Sequence, residues 1–287
     1  MSPPALGPRG VALACALALG LACGGNTPTE GEKAMEATAS QLGTIRSGVL
    51  QFRLVAGPVG EEENPQAGFE MSGPFALPEP GALPVTQIDY TRIAGGDRTT
   101  TQLVSTGSRA FVVLDGTAYQ LTFDQTERLR APSQAGGDHG FGGLRIGEWV
   151  EEPQVSPGEV VADTATDRIT ATVDVVRALN DLLAFGRGLG AAELAVPEIT
   201  GEDAEQLRHV TESATLELLT GKEDRRLRRL SVDIRLAGPV PARVRTALGP
   251  VAAAAIKVTL ALEEPNTPVQ VAAPEGALPA SARPRPS

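Results

Sequence analysis

The sequence predicts an α+β protein: a strongly curved antiparallel sheet with helices laid on one face. Three observations carry this. The first is the number of segments in which apolar and polar residues alternate with period two, the mark of a strand with one buried face. In VLQFRLV, Leu50, Phe52 and Leu54 alternate with Gln51 and Arg53. In RRLRRLSVDIRL the apolar set is Leu230, Val232, Ile234 and Leu236, and in AAIKVTLALEE it is Ile256, Val258, Leu260 and Leu262. The second is Asp115-Gly116 between RAFVVL and TAYQLTF, a short-range hairpin signal because the tight turn needs positive φ. The third is the order of elements, a helix, many strands, helices and more strands, which is neither βαβ alternation nor a repeat.

Taken along the chain, 32–46 reads as an amphipathic helix, with Ala34, Met35, Thr38, Leu42 and Ile45 at helical spacing. Strands follow at 49–55, 68–77, 85–93 and 99–106, and the hairpin occupies 109–123. Residues 131–143 are rich in Gly, Ser and Pro, and predict a mobile loop that holds His139. EVVAD and RITATVDV read as a strand pair. Residues 174–189 return to helical spacing, with Val175, Val176, Leu179, Leu182 and Leu183 on one face and Asp174 as the N-cap. A shorter helix over 202–212 precedes strands at 214–219, 225–236 and 254–264, then a last strand PVQVAAP. The two halves, 34–130 and 145–275, can form one continuous sheet.

The N-terminus carries an export signal: Arg9, the apolar run Val11–Ala22, then Cys23. That run is shorter than the ~20 residues that span a bilayer. Leu19-Gly20-Leu21-Ala22-Cys23-Gly24 resembles the bacterial lipobox, although the usual Leu three residues before the cysteine is Gly20 here. The resemblance implies that Cys23 receives a diacylglyceryl thioether and becomes the mature N-terminus. The expected organisation is a signal peptide over 1–22, a tether over 23–32 after the lipidated cysteine, a single domain over 33–275 and a disordered tail over 276–287. Cys15 would leave with the signal and the Cys23 thiol would serve as the lipid handle, so the mature chain holds no disulfide, no catalytic thiol and no Cys-based zinc site.

Composition excludes several classes. A formal net charge of −10 does not suit a nucleic-acid binder or give attraction to anionic headgroups. Aromatics make up only 3% of the chain, too few for stacking platforms that read sugars or bases. His139 and His209 lie far apart with no ligand partner nearby. There is no GxSxG elbow, P-loop or HExxH. Glu61-Glu62-Glu63 lacks the alternating ligands and turn glycine of a calcium loop. Glu151-Glu152 and Glu263-Glu264 read as adjacent strand-end pairs whose side chains point to opposite faces. No cofactor and no enzyme activity is expected. Arg225, Arg226, Arg228 and Arg229 have two readings, a phosphate contact at a cavity mouth or a charged strand start that discourages edge pairing.

Several segments, in this order, carry a family likeness: the opening helix into GVLQFRL, AFVVLDGTAYQL, WVEEPQV followed by GEVVADTATDRITATVDV, GKEDRRLRRLSVDI and EEPNTPVQVAAP. Over 34–274 the chain resembles the LppX/LprAFG lipoproteins of actinobacteria, whose fold is like the LolA and LolB carriers. The segment 191–212 departs as an insertion, and no tryptophan opens the strand at 214. The resemblance implies a half-open β-barrel with helices over its concave face and an apolar cavity for acyl chains between them. The expected ligand is a lipid or glycolipid, and the expected place is outside the cytoplasm, on the cell membrane, through lipidated Cys23. The residues expected to form the cavity walls or core are Leu50, Phe52, Leu54, Leu179, Leu183, Leu230, Val232, Ile234, Ile256, Val258 and Leu260. The alternative is a tethered surface or scaffold protein with a filled core that binds an envelope protein partner.

Overall fold

The computed structural model describes residues 28–58, 65–77, 82–130, 140–188, 198–238, 241 and 255–283. The signal segment, Cys23, Glu61–Glu63 and His139 lie outside these residues.

Helix α1 covers Glu30–Leu42. It starts earlier than its apolar spacing predicts, because Thr29 and Glu32 form a capping box. The Thr29 hydroxyl accepts from the Glu32 amide at 3.1 Å, and the Glu32 carboxylate accepts from the Thr29 amide at 2.5 Å. The first helical turn thus takes the last residues assigned to the tether. Six strands follow, β1 Ser47–Gly57, β2 Ala67–Ala76, β3 Val85–Ala94, β4 Asp97–Thr106, β5 Ala110–Leu114 and β6 Thr117–Gln120. Short helices α2 (Phe123–Arg130) and α3 (Ile146–Trp149) lead into β7 (Val150–Pro157) and β8 (Thr166–Val173). Helices α4 (Val175–Gly188) and α5 (Gly201–Val210) precede β9 Thr211–Gly221, β10 Leu227–Leu236 and β11 Ala255–Glu263.

The strands make one open antiparallel sheet of eleven in the order β6-β5-β4-β3-β2-β1-β11-β10-β9-β8-β7. Each half is a meander, and the pairing of β1 with β11 at its centre joins them. The curved α+β fold expected from the sequence is the fold observed. Gly68 and Gly73 in β2 have φ of 138° and 141°, a region that disfavours side chains. A Cβ at either would lie within 2.2 Å of a neighbouring carbonyl oxygen, that of Leu54 or Gln87.

The Asp115-Gly116 hairpin forms as predicted, with φ of 48° and 77° at the two turn residues. A Cβ at Gly116 would meet nothing within 4 Å. Gly116→Ala should therefore cost only the left-handed backbone penalty, about 1 kcal/mol in urea unfolding.

Three expectations are corrected. EVVAD is not a strand: β8 pairs with β7, and Val161 makes only an isolated bridge to Thr164. The hairpin stops before Phe123, which opens α2. PVQVAAP joins no strand, since β11 has both neighbours filled by β1 and β10. Of the closing segment expected to be disordered, residues 276–283 are described. Leu278 donates to the Ala118 carbonyl at 2.9 Å and accepts from the Gln120 amide at 2.8 Å.

Candidate functional site

The register assembles the candidate residues into rows across one face of the sheet. Antiparallel partners share a face. The longest row crosses seven strands below the surface, with no polar interruption other than the Tyr90 hydroxyl, through Tyr90, Met71, Phe52, Leu260, Leu230, Leu218 and Ile169, and continues to the exposed Val155 on β7. At ~4.8 Å per strand those seven span about 29 Å. Beside it run Phe69, Leu54, Val258, Val232 and Leu216, and beyond them Ala56, Ile256, Ile234 and Ala214. Leu50 stands against Leu262 at the other flank.

Helix α4 supplies Leu179 and Leu183 to the same core, and its buried stripe also holds Val175, Val176 and Leu182. Asp174 caps it, accepting from the Val176 and Arg177 amides at 3.0 and 3.2 Å. All eleven candidate residues are brought together, and none is more than 4% exposed. They meet protein atoms over nearly their whole surface, so the face is filled. A cleft of about 470 Å³ lies elsewhere, between α1 and the β7–β8 hairpin, beside Lys33, Val155, Asp167 and Arg225.

Sequence reasoning missed two parts of the cover. The first is an aromatic seam. Phe141, expected in a mobile loop, sits in a 3₁₀ turn at 140–143 and is fully buried. Its ring centroid lies 5.4 Å from that of Phe75 and 5.0 Å from that of Phe185 at the end of α4. Phe185 reaches Phe52 at 5.7 Å, and Phe52 reaches Phe69 at 5.4 Å. Such pairs contribute ~0.5–1.5 kcal/mol each beyond their burial. The single large aromatic inside HGFGG was the available signal.

The second is a polar latch. Asp181 projects from α4 and is buried. Its carboxylate accepts from Trp149 Nε1 at 2.7 Å and from the Arg145 guanidinium at 2.9 Å. This fixes α3 against α4. The hydrogen bond and charge of Asp181, with Glu148 nearby, raise the Arg145 pKa above its ordinary value. On the other side, the Thr38 and Thr220 hydroxyls meet at 3.0 Å and pin α1 to β9.

Three arginines of the cluster are paired with carboxylates, and β10 lies between β11 and β9, so the cluster guards no sheet edge. Arg225 binds Asp167 at 2.6 Å, Arg228 binds Asp224 at 2.7 Å and Arg229 binds Glu159 at 2.5 Å. Burial pushes the Asp224 carboxyl up. Hydrogen bonds from the Arg228 side chain and the Arg226 amide, with the two positive charges, outweigh that and hold it below the ordinary range. Glu152 has φ of 51° at a bulge in β7, so Glu151 and Glu152 do not follow simple strand alternation. His209 is exposed on α5. Among the described residues no group of three or more His, Cys, Asp or Glu is placed to hold a metal ion. Among the same residues no helix is long and apolar enough to cross a membrane.

No family model and no curated protein matches the chain. Among solved structures it is similar to LprF from Mycobacterium bovis, at 10% identity and a TM-score of 0.48, over 87% of this chain and 100% of that one. It is also similar to the lipoprotein LppX from Mycobacterium tuberculosis, at 12% identity and a TM-score of 0.42, over 84% of this chain and 97% of that one.

Proposed function

We propose that the chain is an extracytoplasmic lipoprotein, held to the cell membrane by acylated Cys23, that binds or transfers a lipid or glycolipid. Its acyl chains would lie between the concave face of the sheet and α4. The observation that supports this reading is the seven-strand apolar row under a cover made in pieces. Phe141 and Phe185 arrive on separate short segments and meet the sheet through side-chain packing. Moving them aside breaks ring contacts and no strand pairing. The three ring pairs so broken, at ~0.5–1.5 kcal/mol each beyond burial, amount to less than what some ten acyl methylenes gain on leaving water, about 8 kcal/mol in all. The protein would act by desolvating acyl chains, with no covalent step.

The filled face supports a second reading, a tethered scaffold that binds an envelope protein partner. Native mass spectrometry of the mature chain purified from its own envelope separates the two. The carrier reading expects a mass excess equal to a bound lipid, released by solvent extraction. A single unliganded mass that persists after incubation with envelope lipids would leave the scaffold reading. Separately, Cys23→Ala is expected to move the protein out of the membrane fraction.

A further inference from the structure

We propose that one rim of the sheet is a membrane-contact surface, on which Phe123 and Val160 seat in the interfacial region of the bilayer. The proposal rests on the reading of Cys23 as the lipid anchor. Following the register from strand to strand places the ends of β6, β4, β2, β11, β9 and β7 on the same rim as the starts of β5, β3, β1, β10 and β8. The large hydrophobic side chains exposed among the described residues all lie at this rim or beside it. Phe123, 77% exposed, follows the end of β6. Val160, 69% exposed, lies in the link from β7 to β8. Val155 is near the end of β7, and Leu278 pairs beside the end of β6. These are the two edge strands, so the apolar groups stand at both sides of the opening of the sheet.

The tether enters at this same rim. Glu30 and Lys33, in the first turns of α1, share a cleft with Pro157 at the end of β7 and Asp167 at the start of β8. Cys23 is seven residues before Glu30, so the backbone of this lipid-bearing residue can be no more than about 25 Å from that point. A bilayer is therefore the surface this rim meets first. The charge excludes an electrostatic hold: the chain is acidic, and Glu159, Asp163 and Asp124 flank the two apolar groups, all exposed. The contact is apolar insertion of single side chains, a few ångströms deep, as interfacial segments make. It would set the open side of the curved sheet toward the lipid it exchanges.

The test uses the full lipidated protein in vesicles of phosphatidylcholine mixed with its brominated form. Phe123→Trp and Val160→Trp place an indole on the rim, and Thr99→Trp places one near the opposite rim on exposed β4. Flotation with the vesicles reads the anchor, and bromine quenching reads the rim. The expected result is co-flotation of all three, with emission lost and shifted to the blue for positions 123 and 160 and unchanged for position 99, in low and high salt alike. Co-flotation with no quenching at 123 and 160, or with equal quenching at 99, overturns the rim and leaves the anchor standing. Failure of the protein to float overturns the anchor and the rim together.

Discussion

Phe52→Ala is expected to lower the free energy of unfolding by about 3–5 kcal/mol. Phe52 lies in the seven-strand row between Met71 and Leu260, at 1% exposure. It is also where the sheet touches its cover, with Phe69 on one side and Phe185 on the other. Truncation removes apolar area and leaves a void. The strands around it are held by ladder hydrogen bonds and cannot close on the gap, so little of the loss is recovered. Urea unfolding with an unchanged slope would show this as a lower midpoint. A loss below about 1.5 kcal/mol would mean that the cover settles into the space, and that the concave face is more compliant than its packing implies. The same variant bears on the proposed ligand. If acyl chains occupy this face, a lipid present at ~100 times its Kd adds about 2.7 kcal/mol to either protein. At one fixed lipid concentration the gain should be greater for the variant, whose void an acyl chain can fill and whose Kd is therefore lower.

What was legible in the sequence was whatever depends on local periodicity. β1, β10 and β11 keep strict alternation, and the side that alternation marks is the buried side, from Leu50 to Leu262. The stripe of α4 and the Asp115-Gly116 turn are legible for the same reason. β7 was harder, because the bulge at Glu152 breaks the alternation within EEPQV while the neighbouring EVVAD has the better strand composition. PVQVAAP alternates well, but a strand needs an edge, and the long-range pairing of β1 with β11 takes the one next to it. Phe141 was hidden by its glycine neighbours, whose composition says loop and does not say where one large side chain goes. Asp181 left a signal that periodicity alone discounts. It shares the α4 stripe with Ala178 and Phe185, and a lone carboxylate among buried apolar positions needs partners.

Those partners give the second large effect. Asp181→Ala is expected to cost about 2–3 kcal/mol. The substitution strands the Trp149 indole N–H, whose side chain is 1% exposed and whose bond to the carboxylate is 2.7 Å long. A buried donor without an acceptor carries its full desolvation penalty. The Arg145 side chain is 59% exposed, so its charge returns to water at little cost, and the ion pair itself contributes no more than ~1 kcal/mol. Asp181→Asn separates the two. An amide oxygen can still accept from the indole, while the charge is gone, so this variant should lose about 1 kcal/mol or less. Trp149 is the only tryptophan of the natural chain, which makes its fluorescence a direct report on the latch. In Asp181→Ala, native-state emission should move to the red as α3 loosens from α4, and in Asp181→Asn it should stay near that of the parent protein. Equal losses in the two variants would assign the stabilisation to the Arg145 ion pair, against the argument from exposure. A red shift in both would show that α3 is held by charge and not by the indole bond.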